Sequence, residues 1–198
     1  MKRDKVVKTI NAITSHDQVL KIYNSQSTLP RGYKLQLSDP WCAATVSAVF
    51  IQNGYYDISE CSCDEMLKKA KRLGIWVEAD NYKPNIGDVL LYDWQDSGSG
   101  DNTGYPDHVG IVINTYDNYF IVREGNKANA VGNRTVKYND KYIRGFITPK
   151  YEKAAKTYKT VDDIVNAIIS GDFGNGENRK QLLYNYFQNL VNKKLGGK

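Results

Sequence analysis

Near residue 86 the spacing of apolar residues changes from helical to alternating, so the chain must place helices first and strands after. Before that point Val6, Val7, Ile10 and Ile13 form a helical stripe, and Ser15-His16-Asp17-Gln18 opens a second short helix with Val19, Leu20 and Ile22. Residues 24–38 are polar, carry Pro30-Arg31-Gly32 and read as a loop. Ser62-Cys63-Asp64-Glu65 is another capping box, whose helix carries Met66, Leu67, Ala70 and Leu73 and stops at Gly74. After Ile86 the alternation predicts strands at 87–92, 109–113, 119–124, 134–138 and 143–147. Helices followed by strands indicate an α+β domain, with N-terminal helices packed on a small, mostly antiparallel sheet.

The stretch Ser38-Asp39-Pro40-Trp41-Cys42-Ala43-Ala44-Thr45-Val46-Ser47-Ala48-Val49-Phe50 carries the first sign of chemistry. It reads as a helix capped by Asp39, with Pro40 at the first helical position and Cys42 at the third. Unpaired N–H groups and the positive end of the helix dipole favour thiolate over thiol there, and the thiolate is the nucleophile. The helix continues with Val46, Val49 and Phe50 and stops at Asn53-Gly54. Its alanines and Ser47 keep the remaining surface small, so another element can approach closely.

A nucleophilic cysteine needs a base, and the chain has 2 histidines. His16 lies in a capping box and reads as a surface residue without a chemical role. His108 opens a strand directly after the long loop 93–107. If Ile113 pairs with Tyr119, then Ile111 faces Ile121 and His108 falls opposite Glu124. A carboxylate there can orient the imidazole and stabilise its charged form. Asn126 projects to the same side, where it can support the histidine or polarise a carbonyl. The aspartates of loop 93–107 lack EF-hand spacing, and the loop reads as substrate-facing.

Composition narrows the function further. A net charge of +5, with no basic stripe interleaved with aromatics, argues against nucleic acid but suits a polyanionic surface. The 15 tyrosines suit a ligand-binding surface. Three cysteines, Cys42, Cys61 and Cys63, are not a disulfide framework. The Cys-x-Cys pair is one residue short of common zinc spacing and reads as structural. No apolar run is long enough to span a bilayer, and none follows Met1-Lys2-Arg3-Asp4-Lys5 at signal-peptide length. A thiol that must stay reduced fits synthesis in the cytosol, so a substrate outside the cell would need another agent to release the protein.

Four segments, Pro40-Trp41-Cys42-Ala43-Ala44, Gly87-Asp88-Val89, Asp107-His108-Val109-Gly110-Ile111-Val112 and Glu124-Gly125-Asn126, together resemble the CHAP family of cysteine amidohydrolases and peptidases, close to NlpC/P60. The resemblance covers roughly residues 5–150 and implies a papain-like α+β fold. It implies a Cys nucleophile, a His base and a polar third residue, matching Cys42, His108 and Glu124, with Asn126 as a further candidate and Trp41 as a substrate contact. Some members bind calcium through an acidic run before the cysteine. Here residues 32–39 hold a single aspartate, so that site is not carried over, and no metal or organic cofactor is implied.

Beyond a lysine- and tyrosine-rich linker, residues 151–160, the segment 161–198 resembles the Cpl-7 type cell-wall-binding repeat. The run Gly171-Asp172-Phe173-Gly174-Asn175-Gly176-Glu177-Asn178-Arg179 carries the likeness, with Phe173 in place of the usual Trp. The wall contacts it implies are Phe173, Gly174, Asn175, Gly176 and Arg179; Phe173 would offer an apolar face and Arg179 a charge for a carboxylate. Together the two resemblances imply a peptidoglycan hydrolase of endolysin or autolysin type, with a catalytic domain at 1–150, made in the bacterial cytoplasm and released by a holin or by lysis. The expected activity is that of an N-acetylmuramoyl-L-alanine amidase. The alternatives are an endopeptidase of the stem peptide or cross-bridge, an enzyme for a small amide or protein, and an inactive wall-binding protein.

Overall fold

Helix formation at the N-terminus follows the stripe and the caps. Helix α1 spans Arg3–Ala12 and buries Val6 and Ile10, and α2 spans His16–Asn24 and buries Val19 and Tyr23. The Ser15 hydroxyl accepts from the Gln18 N–H at 3.2 Å, which satisfies one orphan donor. A single 3₁₀ turn, Pro30–Gly32, interrupts the following loop. Helix α3, Cys42–Gln52, is buried on every side from Cys42 to Phe50, as an almost wholly apolar helix must be. Helix α4, Cys63–Arg72, starts on a cap in which Ser62 accepts from the Glu65 N–H. This computed structural model describes residues 1–79, 81–95, 104–152, 160–170, 173 and 176–196.

The start of α3 differs from the capping expected at Asp39. The Asp39 carboxylate turns back to accept from the Gln36 N–H at 2.7 Å and the Tyr33 hydroxyl at 2.9 Å. Trp41 takes the N-cap position, so Cys42 is the first helical residue rather than the third. Proline biases the residue before it toward extended backbone, and the local turn at Gln36 competes for the carboxylate.

Among the described residues the sheet has six strands: β1 Trp76–Val77, β2 Val89–Tyr92, β3 His108–Thr115, β4 Tyr119–Lys127, β5 Ala130–Lys137 and β6 Ile143–Ile147. Their order is β1-β6-β2-β3-β4-β5, and every pairing is antiparallel. Strand β1 has two residues, too few for any periodicity to reveal it. Strands β4 and β5 run longer than the alternation indicated. They meet in a two-residue turn at Ala128 and Asn129, both left-handed with φ of 49° and 61°, which is a hairpin turn without the usual Asn-Gly signal.

The alternation of β2 separates two cores. Val89 and Leu91 pack with Val109, Ile111 and the helices, whereas Leu90 and Tyr92 pack with Val112, Phe120, Val122 and Phe146 on the opposite face. Arg123 ties sheet to helices by donating to the carbonyls of Ile10 and Ile13 at the end of α1. Helix α3 lies against β3 and β4, and the approach is closest at Gly125. A Cβ there would stand 1.9 Å from Thr45 Oγ1 and 2.8 Å from the Trp41 ring.

These elements form one compact unit, residues 1–153, and a second covers 154–198. In the second, α5 (Val161–Ile169) opens on a complete capping box between Thr160 and Asp163, and α6 spans Gly176–Lys194. Among the described residues no helix is long and apolar enough to cross a membrane.

Gly125→Ala forces Thr45 or α3 to move. Thr45 is buried and its hydroxyl is held by the Trp41 carbonyl at 2.8 Å, so there is little room to give. The expected cost is about 1–3 kcal/mol of stability, read by urea unfolding, with a matching loss of wall lysis.

Candidate active site

Cys42 and His108 reach the same place from opposite layers. Cys42 is the first residue of α3 and 5% exposed, and His108 is the first residue of β3 and 8% exposed. The two side chains are near enough to shift each other's titration. His108 Nε2 lies 3.2 Å from Glu124 Oε2, which leaves Nδ1 for Cys42.

Glu124 meets His108 by a different register from the one expected. Ile111 pairs with Arg123 and Val112 with Val122, with a bulge at Ile113. His108 is directly opposite Tyr92 on β2 instead. The contact forms because Gly110 has no side chain: a Cβ there would stand 2.8 Å from Glu124 Cγ, so the glutamate passes over Gly110 to the imidazole. The bulge arises where the β3–β4 turn is tighter than assumed, with the Tyr116 N–H bonded to the Tyr119 carbonyl.

Glu124 is fully buried, and a buried carboxylate needs partners. Arg134 on β5 donates through Nε to Oε1 at 2.8 Å and through Nη2 to Oε2 at 3.1 Å. The Tyr92 hydroxyl donates to Oε1 at 2.7 Å. Burial alone would raise the Glu124 pKa, but hydrogen bonds from His108, Arg134 and Tyr92 outweigh it and keep the group ionised. The Arg134 guanidinium also lies over the rings of Tyr92 and Trp94, at 5.6 and 5.0 Å. Sequence reasoning missed Tyr92 and Arg134. Tyr92 ends an apolar strand and reads as core, and Arg134 belongs to a strand beyond the motifs.

The thiol and the imidazole shift each other. Cys42 is held well below the ordinary thiol pKa, first by a hydrogen bond from Cys63; burial opposes this, and the hydrogen bond and charge of His108 and the Ala43 N–H reinforce it. For His108, burial pulls the pKa down, but hydrogen bonds to Cys42 and Glu124 prevail and lift it to about 9. Both shifts favour a thiolate–imidazolium pair at neutral pH. Cys63 Sγ is 3.7 Å from Cys42 Sγ, and all three cysteines are free.

Two hollows flank the pair. One, of about 370 Å³, is bordered by Cys42, Cys63, Asp39, Asp64 and Asp107. The other, of about 310 Å³, is bordered by His108, Trp94, Asn126, Lys127 and Arg134. Asn126 thus sits beside His108, in left-handed backbone with φ 57°. Trp41 is not an open substrate platform: it is 2% exposed, donates to Asn129 Oδ1 at 3.4 Å and stacks on His16 at 4.7 Å. His16 is correspondingly half-buried against that indole rather than a surface residue. The ends of loop 93–107 are tied together by Asp107, which accepts from the Trp94 N–H and from Gln95 Nε2. Its centre, residues 96–103, lies outside the described residues. Among the described residues no group of three or more His, Cys, Asp and Glu side chains is placed to hold a metal ion.

In the second unit Phe173 is 6% exposed and packs edge-on against Tyr186, so it is a core residue there, not an open apolar face. A large aromatic ring in a unit of this size gains more from burial than from exposure. Arg179 is half-buried on α6, Gly176 is the first residue of that helix, and Gly174 and Asn175 lie outside the described residues.

An α+β unit whose helix-borne cysteine meets a strand-borne histidine backed by a carboxylate is built as a cysteine hydrolase. The family comparisons agree: a CHAP domain model matches residues 33–126, and a CW_7 repeat model matches residues 162–195. The chain carries a CHAP domain followed by a CW_7 repeat, the combination of a peptidoglycan hydrolase with a cell-wall-binding module. No curated protein and no solved structure matches it. Arg134 falls outside the matched CHAP span.

The lowered thiol pKa is directly measurable. Alkylation of Cys42 by iodoacetamide, followed by peptide mass spectrometry to separate it from Cys61 and Cys63, should stay fast from pH 9 down to neutral pH. His108→Ala removes a hydrogen bond and a positive charge from the thiolate, so its pKa must rise and alkylation at pH 7 must slow. Equal rates in both proteins would show that His108 does not sustain the thiolate.

Proposed function

We propose that this protein hydrolyses an amide bond of bacterial peptidoglycan, with Cys42 as nucleophile, His108 as proton carrier and Glu124 as the group that orients and charges the histidine. The observation that supports this most is the buried His108–Glu124 pair, 3.2 Å apart, beside a Cys42 thiol whose pKa His108 helps to lower. The Cys42 thiolate attacks the carbonyl carbon, and N–H groups at the start of α3 stabilise the oxyanion. His108, charged at neutral pH, gives its proton to the leaving amine. Water, deprotonated by the now neutral His108, then attacks the acyl-enzyme and frees Cys42. The assigned bond is the N-acetylmuramoyl-L-alanine amide, on the strength of the resemblance. The three aspartates bordering the Cys42 hollow favour a second reading, an endopeptidase, because free amines of stem or bridge peptides are cations that such a surface attracts. Mass spectrometry of wall digests separates the two: an amidase leaves a free lactyl group, and an endopeptidase leaves two peptide ends.

Cys42→Ala should abolish lysis of purified walls with the fold intact by circular dichroism. Lysis by that variant at the native rate would end the cysteine mechanism. Glu124→Gln keeps the shape but removes the charge facing His108. Turnover should fall by about 10²-fold or more, and the alkaline limb of the pH profile, set by loss of the imidazolium proton near pH 9, should move to lower pH. An unmoved limb would count against Glu124 as the partner that raises His108.

We propose that residues 161–198 hold the enzyme on the wall. A protein ending at Glu152 should then lyse intact cells more slowly at low concentration, and the deficit should shrink as enzyme is added, because tethering raises local concentration without touching the scissile bond. Full sedimentation of the shortened protein with purified walls would overturn this role.

A further inference from the structure

The mechanism gives Cys63 no part in proton or acyl transfer, yet Cys63 lies against the sulfur of Cys42. It is the first residue of α4, 8% exposed, with Sγ 3.7 Å from that of Cys42. Its position is fixed from beneath. The Ser47 hydroxyl in α3 donates to the Glu60 carbonyl at 2.6 Å and accepts from the Glu60 N–H at 2.7 Å, clamping the lead into α4 onto α3. The buried Glu60 carboxylate is in turn held by Arg31 at 2.9 Å. Cys61, two residues earlier, is engaged elsewhere: its sulfur accepts from Arg31 and donates to Glu60 Oε1. Both Cys42 and Cys63 border the same open hollow, so a small oxidant has a path to them.

We infer that Cys42 and Cys63 form a reversible thiol pair, in which oxidation of the nucleophile by hydrogen peroxide is captured as a Cys42–Cys63 disulfide that switches lysis off. The switching part rests on Cys42 being the nucleophile; the pairing part does not. In the first step the Cys42 thiolate attacks one peroxide oxygen, the O–O bond breaks, and the departing hydroxide takes a proton to become water. Cys42 is left as a sulfenic acid. In the second step the Cys63 sulfur attacks the sulfenic sulfur and the S–O bond breaks. The hydroxide released leaves as water with the Cys63 proton. Two thiols thereby give two electrons to one peroxide, which becomes two waters.

The sulfurs must close from 3.7 Å to about 2.05 Å, a movement within reach of side-chain rotation at two helix starts. The electrostatics change in the required direction. Cys63 is held well above the ordinary thiol pKa, first by its hydrogen bond to Cys42 and then by burial. Once Cys42 is an uncharged sulfenic acid the first of these disappears, and Cys63 ionises more easily at the moment when it must attack. Without Cys63 the sulfenic acid would proceed to sulfinic acid, which dithiols do not reverse.

The test uses the reduced, full-length protein treated with a few equivalents of hydrogen peroxide, enough to carry an unprotected thiol to sulfinic acid, then blocked with N-ethylmaleimide and digested. The expected result is a peptide linked through Cys42 and Cys63, loss of wall lysis, and return of both linkage and lysis to the starting state with dithiothreitol. Cys63→Ala, with Cys63→Ser as a second variant should the first fail to fold, should give no linked peptide, sulfinic acid at Cys42 and a loss that dithiothreitol does not repair. Cys61→Ala should behave as the native protein. Native protein that yields sulfinic Cys42 and no linked peptide overturns the pairing while leaving the catalytic reading standing. A linked peptide with undiminished lysis upholds the pairing and overturns both the switch and Cys42 as nucleophile.

Discussion

A carboxylate with no exposed surface sits at the centre of this site, and the arrangement around it follows from that burial. Removing such a charge from water costs several kcal/mol unless donors replace the lost hydration. Glu124 has three: the forked Arg134, the Tyr92 hydroxyl and His108. They come from three strands, β5, β2 and β3, so the sheet must be assembled before the charge is satisfied. The same anion holds His108 in its charged form, and the charged imidazole holds Cys42 as thiolate. Stability of the sheet centre and readiness of the nucleophile are therefore coupled through one side chain.

Two glycines make that coupling geometrically feasible. Gly110 leaves a gap over which Glu124 crosses to the strand beside it, and Gly125 lets α3 settle against β4. A side chain at Gly125 would push α3 away from the sheet, and one at Gly110 would block the path of Glu124 to His108. The Gly in His108-Val109-Gly110 and the Gly in Glu124-Gly125-Asn126 are thus part of the proposed catalytic geometry although neither carries a reactive group. The bulge at Ile113 completes the adjustment, because it sets the offset at which Glu124 lies diagonal to His108 rather than opposite it.

The site is also asymmetric. Aspartates border the hollow beside Cys42, whereas Lys127 and Arg134 border the one beside His108. A bound acyl group and the departing amine would meet opposite local charge, which is the kind of difference that selects one amide among several in a branched polymer. Half of this asymmetry comes from Lys127 at the end of β4 and Arg134 on β5, outside the span matched by the CHAP model.

What the sequence determined by itself was local or pairwise in character. The change of period at residue 86 determined helices followed by an antiparallel sheet, and the two CHAP segments around Cys42 and His108 determined which cysteine and which histidine to examine. The capping boxes at Ser15 and Ser62 located helix starts to the residue. Tertiary structure decided what depends on competition or distance. Asp39 had two possible partners and took the turn at Gln36; Trp41 and Phe173 could face a ligand or a core, and burial area favoured the core. The Glu124–His108 contact was legible, but its register was not, since a bulge leaves no mark in an alternating pattern. Tyr92, Arg134 and Cys63 were invisible as site residues for one physical reason: each acts through a neighbour far away in the chain, and only folding brings the two together.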